Sequence, residues 1–133
     1  MDELVQWYGE QLDADERIAE AATPGPWRVR DEGVVGDDGQ HWPVAYTDSY
    51  RAREDCLHVA AHDPARVLRE IDVKRQLVAL HAVDYRERPD RVLGEVDDPF
   101  CAECVGERYP CTTLRLLALP YADRSGCREE WRP

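Results

Sequence analysis

The sequence predicts an α+β fold: an N-terminal helix, a small antiparallel β-hairpin or meander, a long central helix, and a C-terminal zinc-knuckle-like segment with a short helix. Three observations carry that expectation. Apolar residues recur at helical spacing in two long stretches, a glycine-containing segment with period-two alternation lies between them, and Cys101, Cys104 and Cys111 cluster late in the chain. With 133 residues and 43% hydrophobic content, the chain has the size of one domain with one modest core, so residues 1–133 are expected to fold together.

Residues 1–22 read as an amphipathic helix. Leu4, Val5, Tyr8, Leu12, Ile18, Ala19 and Ala22 share one broad face at a 3.6-residue period, while Glu10, Asp13, Glu16 and Glu20 fall mostly elsewhere. Pro24 ends this helix, because proline drives the residue before it out of helical geometry, and Gly25-Pro26 extends the turn.

Over residues 27–46 the period changes. Trp27-Arg28-Val29-Arg30 alternates, Gly33-Val34-Val35-Gly36 follows, Asp38-Gly39 supplies a hairpin turn pair, and Val44-Ala45-Tyr46 closes a sheet of two or three strands. So small a sheet is not stable alone in water, so its apolar face is expected against helices.

Residues 51–82 hold two helices. The first covers Arg51 to Ala61; Asp63-Pro64 then provides an N-cap and a first-turn proline for the second. Val67, Leu68, Ile71, Val78 and Ala79 form its inward face out to His81, with Arg66, Arg69, Lys74 and Gln76 toward solvent or its margins. Tyr85 to Pro99 mixes prolines, a glycine and scattered charges and reads as a loop. Residues 97–120 comprise the cysteine knuckle and a short helix, Thr112 to Leu119, stopped by Pro120; residues 121–133 form a tail expected to dock through Tyr121 and Trp131.

The formal net charge of −11 repels nucleic acid phosphates and anionic lipid heads, so neither nucleic acid nor membrane is favoured and a protein with a basic surface is the expected partner. No stretch approaches the roughly 20 consecutive apolar residues of a membrane span. Met1-Asp2-Glu3-Leu4 lacks the basic flank and apolar run of a secretory signal, which leads to the expectation of a cytoplasmic protein.

Five cysteines, an odd number, in such a chain argue for reduced thiols rather than a disulfide framework. Cys101 and Cys104 form a C-x2-C pair and Cys111 follows seven residues later, a spacing that lets three thiolates converge on one soft divalent ion. Structural zinc takes four N or S ligands. His81, at the end of the long helix and beside its apolar face, is the first choice for the fourth. Such a site closes the loop between helix and knuckle and supplements the packing of a small chain. Cys111 also precedes the helix at Thr112, where the dipole favours a thiolate, and Arg108 acts in the same direction. The alternatives are buried unligated cysteines, an iron–sulfur cluster with Cys56 or Cys127 as fourth thiolate, and His58 or His62 in place of His81.

His58 and His62 lie four apart on one helix face with Asp63 adjoining, an arrangement that can serve a metal-dependent enzyme. A metalloprotease helix carries glutamate directly after its first histidine, and Val59 stands there instead. The blander reading leaves one histidine exposed and the other packed or capping against Asp63. No nucleophile motif or phosphate-binding glycine loop is present, and Lys74 is the only lysine. Asp37-Asp38 and Asp97-Asp98 read as solvated turns, and Trp7, Trp27, Trp42 and Trp131 as core and margin residues.

Four stretches are familiar: Ala22-Thr23-Pro24-Gly25-Pro26-Trp27, then His62-Asp63-Pro64-Ala65-Arg66-Val67-Leu68, then Cys101-x2-Cys104 with Tyr109-Pro110-Cys111, and Leu114 to Asp123 with Trp131-Arg132-Pro133. Together they resemble an uncharacterised domain-of-unknown-function family, number 6221, of short proteins from actinobacteria and their phages. The first stretch is also similar to a segment of small phage proteins. The resemblance implies the His81, Cys101, Cys104, Cys111 pattern and no activity; it also implies that Cys127, where relatives carry an aromatic residue, is not a ligand. The resulting expectation is a zinc-stabilised, non-enzymatic accessory protein of phage or prophage type that binds a protein through its acidic surface or hairpin. Its rivals are a metal-dependent enzyme using His58 and His62, and an acidic mimic of DNA.

Overall fold

The computed structural model describes residues 2–37, 42–84 and 99–133. In chain order the elements are α1 (Glu3–Ala21), β1 (Arg28–Arg30), β2 (Gly33–Val35), β3 (Ala45–Tyr46), α2 (Ala52–Ala61), α3 (Pro64–Leu80), β4 (Val83–Asp84), β5 (Phe100–Cys101) and α4 (Thr112–Ala118), followed by 3-10 turns at Leu119–Tyr121 and Glu129–Trp131. Helices with small antiparallel sheets make this an α+β protein. Two compact units divide the chain: a knuckle unit of Met1–Gln11 with Val73–Pro133, and a sheet unit of Leu12–Asp72.

Within the sheet unit, β1, β2 and β3 pair in that order, all antiparallel, with Val29 opposite Val34 and Val34 opposite Ala45. The central strand β2 is buried along its length, and α2 lies against all three strands. The helix thus covers the apolar face that so small a sheet cannot leave in water. The tight hairpin turn is Asp31-Glu32, where Asp31 takes a left-handed φ of 56°, a conformation aspartate tolerates better than most residues. Cys56, fully buried on α2, donates its thiol to the Glu32 carbonyl at 3.4 Å and holds that turn down. The turn read from Asp38-Gly39 lies outside the described residues.

The segment between α1 and β1 is organised by Asp63. One carboxylate oxygen accepts the Trp27 amide at 2.9 Å and the other accepts the Arg66 amide at 2.8 Å, so a single side chain caps α3 and tethers the loop ahead of β1. Gly25 crosses directly over it. A Cβ at Gly25 would stand 2.7 Å from the Asp63 carboxylate and 2.9 Å from Ala65, which explains glycine in the Pro24-Gly25-Pro26-Trp27 run. Burial raises the Asp63 pKa, but the Arg66 and Trp27 amides and the Arg69 and Arg66 guanidinium groups outweigh it and hold the carboxyl below its ordinary value.

In the knuckle unit, Asp2 caps α1 by accepting the Leu4 amide at 2.9 Å. Leu4, Trp7 and Tyr8 are buried. The Tyr8 ring meets Tyr121 edge-on at 5.6 Å between centroids, and Trp7 meets Trp131 at 5.4 Å. Trp7 also donates its indole N–H to the Ser125 carbonyl at 3.0 Å, beside Gly126 at a φ of 85°. Lys74 donates to the Tyr121 hydroxyl at 3.1 Å, and Arg128 pairs with Glu3. The final residues are therefore fastened to the first turns of α1 by aromatic and ionic contacts. β4 and β5 form a second ladder, Val83 opposite Cys101 and Asp84 opposite Phe100. The sequence reading assigned a loop from Tyr85 to Pro99 and no strands; most of that segment, 85–98, lies outside the described residues, and the short strands flank it.

Two helix-face assignments are corrected. Ile18 is 70% exposed: it sits about 100° or more round α1 from Ala19 and Leu12, which point inward. Ala79 is also exposed, because the end of α3 presents Lys74, Leu77, Val78 and His81, an i, i+3, i+4, i+7 stripe that Ala79 falls outside.

Asp63→Ala removes the α3 cap and leaves the Trp27 amide unpaired, so urea unfolding is expected to show a loss of about 2–4 kcal/mol. Because the folded pKa is depressed, the Asp63 contribution is present above the ordinary carboxyl range and disappears as pH falls through the lower folded value. Acid titration of stability should accordingly be flatter for the variant than for the parent. The buried Tyr8 hydroxyl has no hydrogen-bond partner among the described residues, so Tyr8→Phe should melt at the same temperature or higher; a loss above about 1 kcal/mol would reveal a partner for that oxygen.

Candidate metal centre

His81 follows the last residue of α3 and its amide still donates to the Leu77 carbonyl at 3.1 Å, so the final helical turn aims the imidazole. Two residues on, the β4–β5 ladder pairs Val83 with Cys101, and the Ala102 amide donates to Ala82 at 2.8 Å. That register brings His81 beside Cys101 although twenty positions separate them. The chain then folds back: Cys101 donates its amide to the Glu107 carbonyl at 3.0 Å, and Phe100 bridges Arg108. The turn passes through Gly106 at a φ of 77°, the left-handed region that glycine enters without strain.

Cys111 is the extended residue immediately before α4. The first amide of that helix is not free to serve its sulfur: the Glu107 carboxylate accepts the Thr112 N–H at 2.8 Å. Hydrogen bonds from the Thr112 amide and hydroxyl keep the Glu107 carboxyl low, with a further contribution from His81. Sequence reading missed Glu107, and nothing in its neighbourhood distinguishes it from the many other acidic residues.

The Nδ1 atom of His81 stands 3.4 Å from Cys101 Sγ, 3.4 Å from Cys104 Sγ and 3.5 Å from Cys111 Sγ. All four donor atoms lie within 4.8 Å of one another. A tetrahedral ion with bonds of about 2.3 Å to sulfur and about 2.0 Å to nitrogen separates S from N by about 3.5 Å. The donor set therefore fits a metal of that size, with His81 offering Nδ1. Cys101, Cys111 and His81 are buried and Cys104 is half-buried. Leu114 completes the buried wall, with Val5, Val78, Tyr109 and Leu117 packed against it.

The electrostatics of the group are those of a site that needs a cation. Burial raises the Cys101 thiol, yet the Cys104 and Glu103 amides, His81 and Cys111 overcome it and bring the pKa down to about 7. The Cys104 amide lies 3.4 Å from the Cys101 sulfur. Cys104 moves the other way, pushed up to about 12 by burial and by the Cys111 and Cys101 sulfurs. One negative charge is accommodated by backbone dipoles, and the next meets repulsion that a retained proton or a positive ion relieves.

The remaining candidates lie elsewhere. His58 and His62 are exposed on the sheet unit, with ring centroids 4.4 Å apart and His62 Nδ1 2.7 Å from the His58 carbonyl oxygen. Both Asp63 oxygens accept backbone amides, from Trp27 and Arg66, and the hydrogen bond of His62 goes to the His58 carbonyl. The groove beside the β1–β2 turn is lined by Arg30, Asp31, Glu32, Pro43 and Tyr46 and by neither histidine. Cys56 is committed to the Glu32 turn, and Cys127 lies in the tail near Trp7 and Trp131. Among the described residues, His81, Cys101, Cys104 and Cys111 are the one group of three or more metal-ligating side chains.

Among known proteins, no curated protein and no solved structure matches the chain. A family of unknown function, DUF6221, matches it over residues 1–133, a span that takes in the Asp63 cap, the knuckle and the docked tail alike. The protein belongs to that family.

Proposed function

We propose that this is a small zinc-stabilised, non-enzymatic accessory protein that acts by binding a protein partner. The observation that carries the reading is the spacing of three sulfurs at 3.4–3.5 Å from one imidazole nitrogen. Four donors around one ion complete a tetrahedron, leaving no position for water or substrate, so such an ion folds the chain and does no chemistry. The donor set favours zinc. Iron–sulfur clusters are held mostly by cysteine alone, and Cys56 and Cys127 sit outside the group.

The partner is read from charge and exposed aromatic surface. A net charge of −11 favours a basic protein surface. Trp42 is 80% exposed and Tyr46 64%, and Tyr46 lines the groove that holds Asp31 and Glu32. Exposed tryptophan and tyrosine next to acidic groups suit the anchor of a protein interface. No helix among the described residues is long and apolar enough to cross a membrane. A cytoplasmic site of action accords with thiols that must stay reduced to hold a metal, and the likeness of the Ala22–Trp27 run to small phage proteins is the ground for reading a phage or prophage origin.

Elemental analysis of purified protein should find one zinc per chain and a colourless solution. A strong chelator should then unfold the knuckle unit, because structural zinc contributes about 10–16 kcal/mol in small zinc domains, which exceeds the margin of most folds. His81→Ala and Cys111→Ser should lose the ion, while Cys56→Ala should keep it. Metal-free protein with unaltered melting would overturn the zinc reading. For the partner, Trp42→Ala with Tyr46→Ala should abolish the specific capture from host lysate that the parent shows at moderate salt, with melting unchanged; equal capture by both would remove the hairpin face from consideration.

A further inference from the structure

We propose that His58 and His62 form a second metal site, on the surface of the sheet unit, that takes an exchangeable divalent ion such as Ni2+, Cu2+ or Zn2+ through the two Nε2 atoms. Both rings sit at the end of α2, one helical turn apart, exposed, with centroids 4.4 Å from one another and planes tilted by 45°. Rings so close and so tilted are neither buried nor stacked flat, and rotation of the His58 ring about χ2, with His62 held by its hydrogen bond, would bring one nitrogen of each to one ion.

The hydrogen bond at His62 decides which nitrogen is available. Its Nδ1 lies 2.7 Å from the His58 carbonyl oxygen. A carbonyl only accepts, so Nδ1 carries the proton and the lone pair sits on Nε2, facing outward. A ring N–H fixed by a backbone carbonyl is the usual means of orienting a metal-binding imidazole and raising its basicity. The same hydrogen bond also caps the end of α2, because His62 is its C-cap residue and the His58 carbonyl is one of the last in the helix.

The site differs in kind from the cysteine cluster. Among the described residues no third cysteine, histidine or carboxylate joins the pair, and Asp63 is occupied with two backbone amides. Two imidazoles hold borderline ions in the order that places copper and nickel high, and they leave coordination positions to water or to a donor from outside the chain. A metal so held exchanges, in contrast to one closed in by four ligands. The strongly acidic chain raises the local concentration of cations around it. Because all the cysteine-cluster ligands belong to the knuckle unit and both histidines to the sheet unit, the two sites stand or fall separately.

Untagged full-length protein titrated with Ni2+ tests the assignment. Calorimetry should show one equivalent taken up without the near-ultraviolet absorption of nickel–thiolate bonds, which separates imidazole binding from entry into the cysteine cluster. Proton spectra should show two histidine ring signals broadened by the paramagnetic ion. His58→Ala and His62→Ala should each lose that equivalent; His58→Ala should melt with the parent, whereas His62→Ala also gives up the hydrogen bond to the His58 carbonyl and should melt slightly lower. If the parent binds no Ni2+ free of thiolate absorption, or if a variant carrying both His58→Ala and His62→Ala still takes up that equivalent, the site does not exist.

Discussion

Three sulfurs and one imidazole nitrogen held within 4.8 Å of one another form the constraint on which the knuckle unit depends. Packing alone does not account for it. Buried thiols are poor hydrogen-bonding groups, and their ionised forms repel at this distance: against burial, amides, His81 and Cys111 bring Cys101 down to about 7, while burial and the Cys111 and Cys101 sulfurs push Cys104 up to about 12. A divalent ion removes the conflict by allowing all three to ionise. Its contribution would also exceed that of any one residue of the apolar wall around it, since burying a leucine such as Leu114 contributes about 1.5–3 kcal/mol. The end of α3, the β4–β5 ladder and the start of α4 each supply a ligand, so one ion would fasten three elements that share few contacts otherwise.

The sheet unit reaches the same end with a carboxylate. Asp63 joins the loop before β1 to the first turn of α3 by accepting one amide from each, and glycine at position 25 permits the approach. Its charge is held by amides and two arginines rather than by an ion, which is why its pKa falls where an unpartnered buried carboxyl would rise. Both units thus place an anion where backbone N–H groups converge. They differ in how many charges must be hosted: one in the sheet unit, three in the knuckle.

How much of this could be read from the sequence follows from how local each signal is. The α1 period, the Asp63-Pro64 start of α3 and the C-x2-C spacing are short-range patterns, and the helices and the cysteine convergence stand where those patterns put them. His81 was reachable because it ends a helix beside an apolar face. The strands β4 and β5 were not: two residues each, they owe their pairing to register across a long intervening segment and carry no alternation of their own. The hairpin turn at Asp31-Glu32 was missed because its signal is a single left-handed aspartate, weaker than the Asp38-Gly39 pair nearby. Ile18 misled because a broad apolar face does not say which residues at its margin are covered. Glu107 had no signal at all, since capping the helix from five residues away depends on the knuckle already being folded.

The distribution of chemistry along the chain bears on function as well as on stability. In the knuckle unit the cysteines face His81, Glu107 faces Thr112 and the tail aromatics face α1, and the Tyr8 hydroxyl is the buried side-chain polar atom without a partner among the described residues. In the sheet unit several groups are exposed instead. Trp42, Tyr46 and Tyr50 are the large exposed aromatics among the described residues, and His58 and His62 are exposed as well. A closed metal centre needs every ligand turned inward and offers nothing to a partner, whereas exposed aromatics and unsaturated imidazoles cost solvation or specificity unless something uses them. Under the proposed function, recognition is therefore sought on the exposed groups of the sheet unit, while an ion held by four ligands in the knuckle would be closed to a partner.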